Sequence, residues 1–567
     1  MPTTIPGNLI FQSPTNNDPL LDLNTQPSLD LQFAASKTLD DRVSGLPLVD
    51  HQRDVSSGKS AGTYVGSDGL IKTSKVNFLT YSDYSVVETT TDAQLEGLAT
   101  APDGTNTARR YSTPSAGLDA INKVYTAGTA GKDYTFSVWV RSTGTASEVR
   151  LIVGDTQSIA NVQISTEWQR FSITKTNNAS NLVRAYVQML NVGDEVEVWG
   201  AQLEEGSTAT PYIKTTNLPS AAPRFDHDPV TGESLGLLVE ESRTNLITRS
   251  TATGATNGVI GSGGALPSGW YIDQVQSGTT VEIIGSGTEK GLTYVDIRFS
   301  GTTNALNRTL IRPGSPIPIN GETYYLTAYS KLVSGTNNLN YTRFDTGALS
   351  LTSEFKRNTG ATRSGFTGTF FPRFDIGLDA IGQSYDITIR FAAPQMELGS
   401  FPTSYIPTTS SAVTRAADVA EITGSNFSSW YNQSEGSFYY EGTAIDTSLN
   451  GNRFISGTHP RAFISAGSTE NNQVGSWDGT YSVGLTGGVT TWQDGTKAAV
   501  AWSSPTRSIT ISGLTPYSSV SNQHNVAETQ IRINQSTNGT SITNGYVKRL
   551  TYYPYRLPDA TLQEITS

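Results

Sequence analysis

The chain has 567 residues and a formal net charge of −11, with 36% hydrophobic and 16% charged residues, 54 Gly, 25 Pro and no Cys. Its length exceeds what one core supports and predicts about three or four domains, while 25 Tyr, 19 Phe and 8 Trp exclude a disordered polymer. The acidic balance, without any long basic run, excludes a nucleic-acid backbone or an anionic membrane as main partner, and without Cys there are no disulfides or thiolate metal sites.

Few helix formers stand beside abundant Tyr, Val, Ile, Thr and turn residues. The predicted fold class is therefore all-β: tandem antiparallel β-sandwich (jelly-roll) domains in a row, with very little helix. No stretch approaches the roughly 18 apolar residues of a membrane-spanning helix. Residues 1–7 lack the basic start and apolar run of a signal peptide. Synthesis and assembly in a bacterial cytosol, with work done outside it, suit this pattern.

Residues 1–76 read as an N-terminal anchoring arm and hairpin. The first 27 positions are rich in Pro and Asn, and suit an arm that orders only against a partner or a free tail. Residues 28–34 alternate as a strand does. Thr63-Tyr64-Val65-Gly66 and Leu70-Ile71-Lys72-Thr73 then flank Ser67-Asp68-Gly69, a turn in which Gly supplies a positive φ. A first jelly-roll module spans 77–216, with short period-two strands at 134–141, 149–153, 168–173, 183–189 and 195–199. A connector at 217–244 carries a second hairpin, 224–228 returning at 235–239. A second module, 245–409, repeats the plan, its residues 322–331 aligning with 132–141. From 417 to 567 the text changes to short polar strands of a third kind of sandwich. Pro558 and Asp559 there suit the first turn of one short terminal helix.

The two modules are marked by shared phrases. Asn77-Phe78-Leu79-Thr80-Tyr81-Ser82 opens one and Asn245-Leu246-Ile247-Thr248-Arg249-Ser250 the other. Gly200-Ala201-Gln202-Leu203-Glu204-Glu205-Gly206-Ser207 closes the first, running on to Pro211-Tyr212-Ile213. Ala393-Pro394-Gln395-Met396-Glu397-Leu398-Gly399-Ser400 closes the second, running on to Ser404-Tyr405-Ile406. Matching ends around a variable middle mean a duplicated module.

These closing phrases, the run Gly236-Leu237-Leu238-Val239-Glu240-Glu241-Ser242-Arg243-Thr244-Asn245-Leu246 and the ending Lys548-Arg549-Leu550 resemble bacteriophage virion proteins of the tail-fibre or head-spike type, especially those of cyanophages and other marine phages. The modules resemble carbohydrate-binding jelly rolls of the cellulose-binding type. The C-terminal domain resembles a concanavalin- or laminin-G-like sandwich. The resemblance implies a structural protein of the virion, assembled in the host cytoplasm, held to other virion proteins through its N-terminal segment. A homo-oligomer such as a trimer is expected from exposed sandwich edges. No nucleic-acid partner and no membrane insertion are expected.

Sugar recognition by such modules uses aromatic faces with amide and carboxylate neighbours, which makes Trp139 and its counterpart Tyr329 the glycan-binding candidates; packing under a loop or against a second subunit is the other reading of both. Trp477 and Trp492, each beside a turn, are candidate loop contacts or sandwich-edge packing. Asp226, Asp228 and Glu233 are too few for Ca²⁺, which takes about six to eight oxygens, so neither metal nor cofactor is expected. His51, His227, His459 and His524 are scattered, and adjacent acids such as Glu204-Glu205 and Glu240-Glu241 point to opposite sides of an extended chain. The expected function is non-enzymatic: a fibre, spike or decoration protein engaging host-surface glycans. A capsid or tail cement protein without sugar binding, and a polysaccharide depolymerase, remain the alternatives.

Overall fold

The structure is a computed structural model that describes residues 20, 26–86, 89–114, 119–154, 158–178, 181–445, 452–458, 462–466, 474–477, 482–485, 495–520, 527–539 and 541–567. The expected N-terminal arm lies almost wholly outside them. The protein is all-β, as the composition predicts, with nearly all strand pairs antiparallel and helix confined to short pieces such as Asp559–Ile565 at the C-terminus. Pro558 stands at the N-cap of that helix and Asp559 in its first turn.

One pair of five-stranded sheets faces across a core running from Leu79 to Leu203. The first sheet is built on Asp133–Ser142, flanked by Gln169–Thr176 and Glu195–Glu205. In Asp133–Ser142 the side chains of Tyr134, Phe136, Val138 and Val140 are buried. The opposing sheet answers with Val149, Leu151 and Val153 and with Val183, Ala185, Val187 and Met189. Period-two patterning thus becomes one dry layer between two pleated sheets, with the alternate residues turned outward. A second sandwich repeats this on Tyr324–Gly335 and Ser384–Leu398 around a core from Ile247 to Met396.

The third core is assembled from distant parts of the chain. Phe438, Phe463, Trp502 and Tyr552 are packed ring against ring at its centre. Leu29, Leu31, Phe33, Leu237 and Val239 bury in the same core. Leu29–Leu31 pairs with residues 550–552, and Ser234–Val239 pairs with residues 545–547 of the same strand, Gly545–Tyr553. The lead-in and connector segments therefore complete a sheet hundreds of residues away in sequence.

Where these segments meet, a buried ionic cluster forms. Asp418 accepts from Arg53 through Oδ1 and from Arg224 through Oδ2 at 2.5 Å, with the His51 ring 3.3 Å away. Glu240 Oε2 accepts from Arg224 at 2.6 Å and from Arg415 at 2.8 Å, and both its oxygens also accept from Ser404 at 2.7 Å. All five charged side chains are fully or almost fully buried. The surplus cation is met by carbonyls: Ala61 and Ala222 accept from Arg53, Thr63 from Arg224 and Glu241 from Arg415. Gly62 lies over the cluster at φ +78°, where an added Cβ would sit 3.0 Å from Arg415; a side chain there is opposed by both backbone and space.

Burial by itself would push the Glu240 carboxyl up, but Arg415 and Arg224 bring it from 4.5 down to about 2. Asp418, against burial, is likewise held well below the carboxylate range by Arg224 and Arg53. Burial lowers the His51 pKa below 6.5. Each group binds fewer protons folded than unfolded, so its stabilisation is present above the unfolded pKa and lost in acid. The thermal midpoint is expected to begin falling below about pH 6.5 as His51 charges, and to fall steeply between about pH 5 and 2; a flat profile there contradicts this. Glu240→Ala, which strands Arg415 and leaves Arg224 with Asp418 alone, is expected to cost about 3–5 kcal/mol in denaturant unfolding at pH 7.

Candidate functional site

The repeated phrases build the same polar lock in both modules. Asn77 donates to Ala201 and Ile213 carbonyls at 3.0 and 2.9 Å and accepts from Leu79 and Leu203 N–H. Asn245 does the same with Pro394, Ile406, Ile247 and Met396. Glu204 accepts from the Thr210 N–H at 2.8 Å and its hydroxyl at 2.6 Å; Glu397 accepts from Thr403 at the same two distances. Gln202 and Gln395 accept from Ile213 and Ile406 N–H, both at 2.7 Å. Arg170 and Arg357 each clamp the lock by donating to the carbonyls of Thr210 and Thr403 at 2.7 Å. A buried network of this kind is stable only when every member has its partner, which accounts for the Asn, Gln and Glu that recur at matching places in both phrases. Glu204 is buried and Glu205 exposed, as expected for adjacent residues of a strand.

This lock sets the surroundings of Trp139 and Tyr329. Trp139 packs edge-on against Trp199 and Tyr212, with ring centroids 5.3 and 5.5 Å apart, and the Arg170 guanidinium lies 4.5 Å from its ring. Both strand pairs carry a bulge here, between Ser137 and Trp139 and between Thr327 and Tyr329. Gly200 sits at φ +67° with space for no Cβ, which would lie 2.7 Å from the Trp139 ring; its counterpart Ala393 also has a positive φ, opposite the smaller Tyr329. Tyr329 packs against Phe355 in a cluster with Ala392, Ala393 and Tyr405. Both candidates thus lie under the closing phrase. Trp477 ends the strand Val474–Trp477, paired with Ser482, and Trp492 lies outside the described residues. The Asp226 carboxylate accepts from Val65 and Tyr546, and Asp228 from Val230 and Thr231.

A second arrangement lies on the outward face of the first module's second sheet. The run Val183-Arg184-Ala185-Tyr186-Val187-Gln188-Met189 buries every odd member, so Arg184, Tyr186 and Gln188 share the other face. Tyr186 stands opposite Asn122 on one neighbouring strand and Ile152 on the other. One pair along, Gln188 is opposite Arg150, which donates to it at 3.1 Å and to Asn161 at 3.2 Å. Tyr186, Arg184 and Arg150 are partly exposed there, whereas Asn122, Ile152 and Gln188 are buried; a partly exposed phenol ring beside guanidinium groups on a pleated face can stack on a sugar ring and donate to its hydroxyls. These residues escaped the sequence reading, although the alternation along 183–189 was the signal that placed them together.

No protein-family model matches the chain, and no curated protein matches it by sequence. Among solved structures, one described as "CBM4 structure and function" is 16% identical, covering 22% of this chain and 84% of its own, with a TM-score of 0.17. The tandem CBM22-1–CBM22-2 domain of Paenibacillus barcinonensis Xyn10C is 9% identical over 62% of this chain and 97% of its own, with a TM-score of 0.21. A Trypanosoma rangeli sialidase is 9% identical over 91% of this chain and 98% of its own, also at 0.21. The likeness to carbohydrate-binding modules and to a sialidase is distant, and carries no function to this chain.

Two outcomes are expected from the lock. Asn77→Ala leaves four buried backbone partners unmet and is expected to cost about 2–4 kcal/mol in chemical unfolding. Trp139→Ala removes a ring packed on three sides and is expected to cost about 3 kcal/mol in the same measurement; a change below about 0.5 kcal/mol would show that the ring does not support the module.

Proposed function

We propose that the chain is a non-enzymatic structural protein of a bacteriophage virion, a fibre, spike or decoration, whose sandwich modules bind host-surface glycans. The observation that carries glycan binding is the outward sheet face on which Tyr186 stands between Asn122 and Ile152, with Gln188 and Arg150 beside it. The virion assignment, with assembly in the host cytoplasm and attachment through the N-terminal segment, rests on the resemblance of the repeated phrases and of the Lys548-Arg549-Leu550 ending to phage fibre and spike proteins. Weak binding on one such face becomes effective when copies are arrayed in an oligomer on a particle.

The cement-protein reading has one observation in its favour: the shared phrases, and Trp139 and Tyr329 beneath them, serve packing within the modules. A glycan array probed with wild type and with Tyr186→Ala separates the two. The glycan-binding reading expects wild-type binding that falls at least tenfold in the variant; no wild-type binding favours cement. Incubation of the protein with host polysaccharide is expected to leave chain length unchanged, and shortening would establish a depolymerase.

A further inference from the structure

We propose that the corresponding face of the second module binds acidic saccharides, chains bearing carboxylate or sulfate groups. This rests on the glycan-binding reading above and adds the class of ligand and a second site. The short sheet there runs Trp270–Gln274, Thr309–Pro313, Phe374–Gly377, Tyr341–Phe344, in the position that carries Tyr186 in the first module. Its inward side supplies Trp270, Ile311, Phe374, Ile376 and Phe344 to the core. Its outward side is built of arginines laid on aromatic rings.

Arg312 lies 5.0 Å from both the Tyr271 and the Phe371 rings. Arg308 and Arg343 lie 4.4 and 4.9 Å from the Tyr341 ring. Tyr271 and Phe371 remain 49% and 39% exposed, enough ring for a ligand to cover. With Arg373, four arginines share the face with two carboxylates, Asp375 and Asp273. The face is therefore net positive on a chain whose net charge is −11. Asp375 is engaged by Arg308 at 2.9 Å, and Asp273 by Arg312 at 3.3 Å. Arg343 stands opposite Asp375 on the neighbouring strand and has a ring, but no carboxylate within ion-pair distance among the described residues.

Stacking holds each guanidinium plane fixed, so its fork is oriented before a ligand arrives and loses little freedom on binding a carboxylate or sulfate. Three inter-strand steps of about 4.8 Å separate Tyr271 from Tyr341, so the two ring–arginine groups stand roughly 14 Å apart across the strands. A linear acidic saccharide supplies the two things such a row recognises: repeated anions for the forks and C–H faces for the exposed rings. An acidic polypeptide supplies the anions without the stacking faces.

The test uses the full chain, with polygalacturonate and a sulfated galactan as acidic probes, xylan as neutral probe and poly-glutamate as competitor. Wild type is expected to bind an acidic probe with an affinity that falls as salt is raised. Arg343→Ala and Arg312→Ala are each expected to lower the ratio of acidic to neutral affinity by about tenfold or more, with Arg343→Lys recovering part of it. Circular dichroism melts confirm that the variants fold. Poly-glutamate is expected to compete poorly. If it competes as well as polygalacturonate, or if acidic binding survives both alanine variants, the proposal falls. If xylan or other neutral glycans bind and acidic ones do not, the proposal falls while the glycan-binding reading stands. If nothing binds, both fall.

Discussion

Everything else in this molecule is hung on the carboxylates of Glu240 and Asp418. Together they engage three buried arginines drawn from the lead-in, the connector and the segment that follows the second module. Such a cluster is a poor source of net stability, because desolvating the ions offsets most of their attraction. What it supplies is register. With the Arg243–Asn245 strand paired to Val413–Arg415, and Asp50–Gln52 paired to Val419–Thr423, the arginines can reach their acids in one arrangement of the chain. Any other arrangement leaves a charge buried alone.

The same principle operates on a smaller scale inside each module. The Asn–Gln–Glu–Thr lock turns the end of a long strand back over the outward face of its own sheet, and it does so twice with hydrogen-bond lengths that agree to about 0.1 Å in the paired contacts of Glu204 and Glu397. Around this fixed end the contents vary: Trp139 against Gly200 in one module, Tyr329 against Ala393 in the other. A larger ring goes with a missing Cβ, so the space under the phrase stays filled in both.

With the closing phrases committed to packing, the outward faces of the short sheets are left to differ. One carries a tyrosine among amides, the other arginines on rings. Duplication of a module with a shared frame and divergent faces lets one chain carry two surface chemistries.

The fold class was legible in the sequence because period two and frequent turn residues act locally: Tyr134, Phe136, Val138 and Val140 could face only one way together. The repeat and the strand over 183–189 were equally plain. The role of the repeated phrase was not, since Asn77 meets the Ala201 carbonyl and the Leu203 N–H only when residues more than a hundred positions apart are brought together. Trp139 illustrates the same limit: alternation placed it on the polar side of its strand, but the bulge and the returning phrase decided what covers it. The sequence by itself determined which residues turn inward, because a pleated strand has two faces and water sorts them. Only the tertiary structure decided that Leu29, Leu237 and Tyr552 share a core, and that Arg53, Arg224 and Arg415 share two acids, because long-range pairing is chosen by shape and charge complementarity that no local pattern encodes.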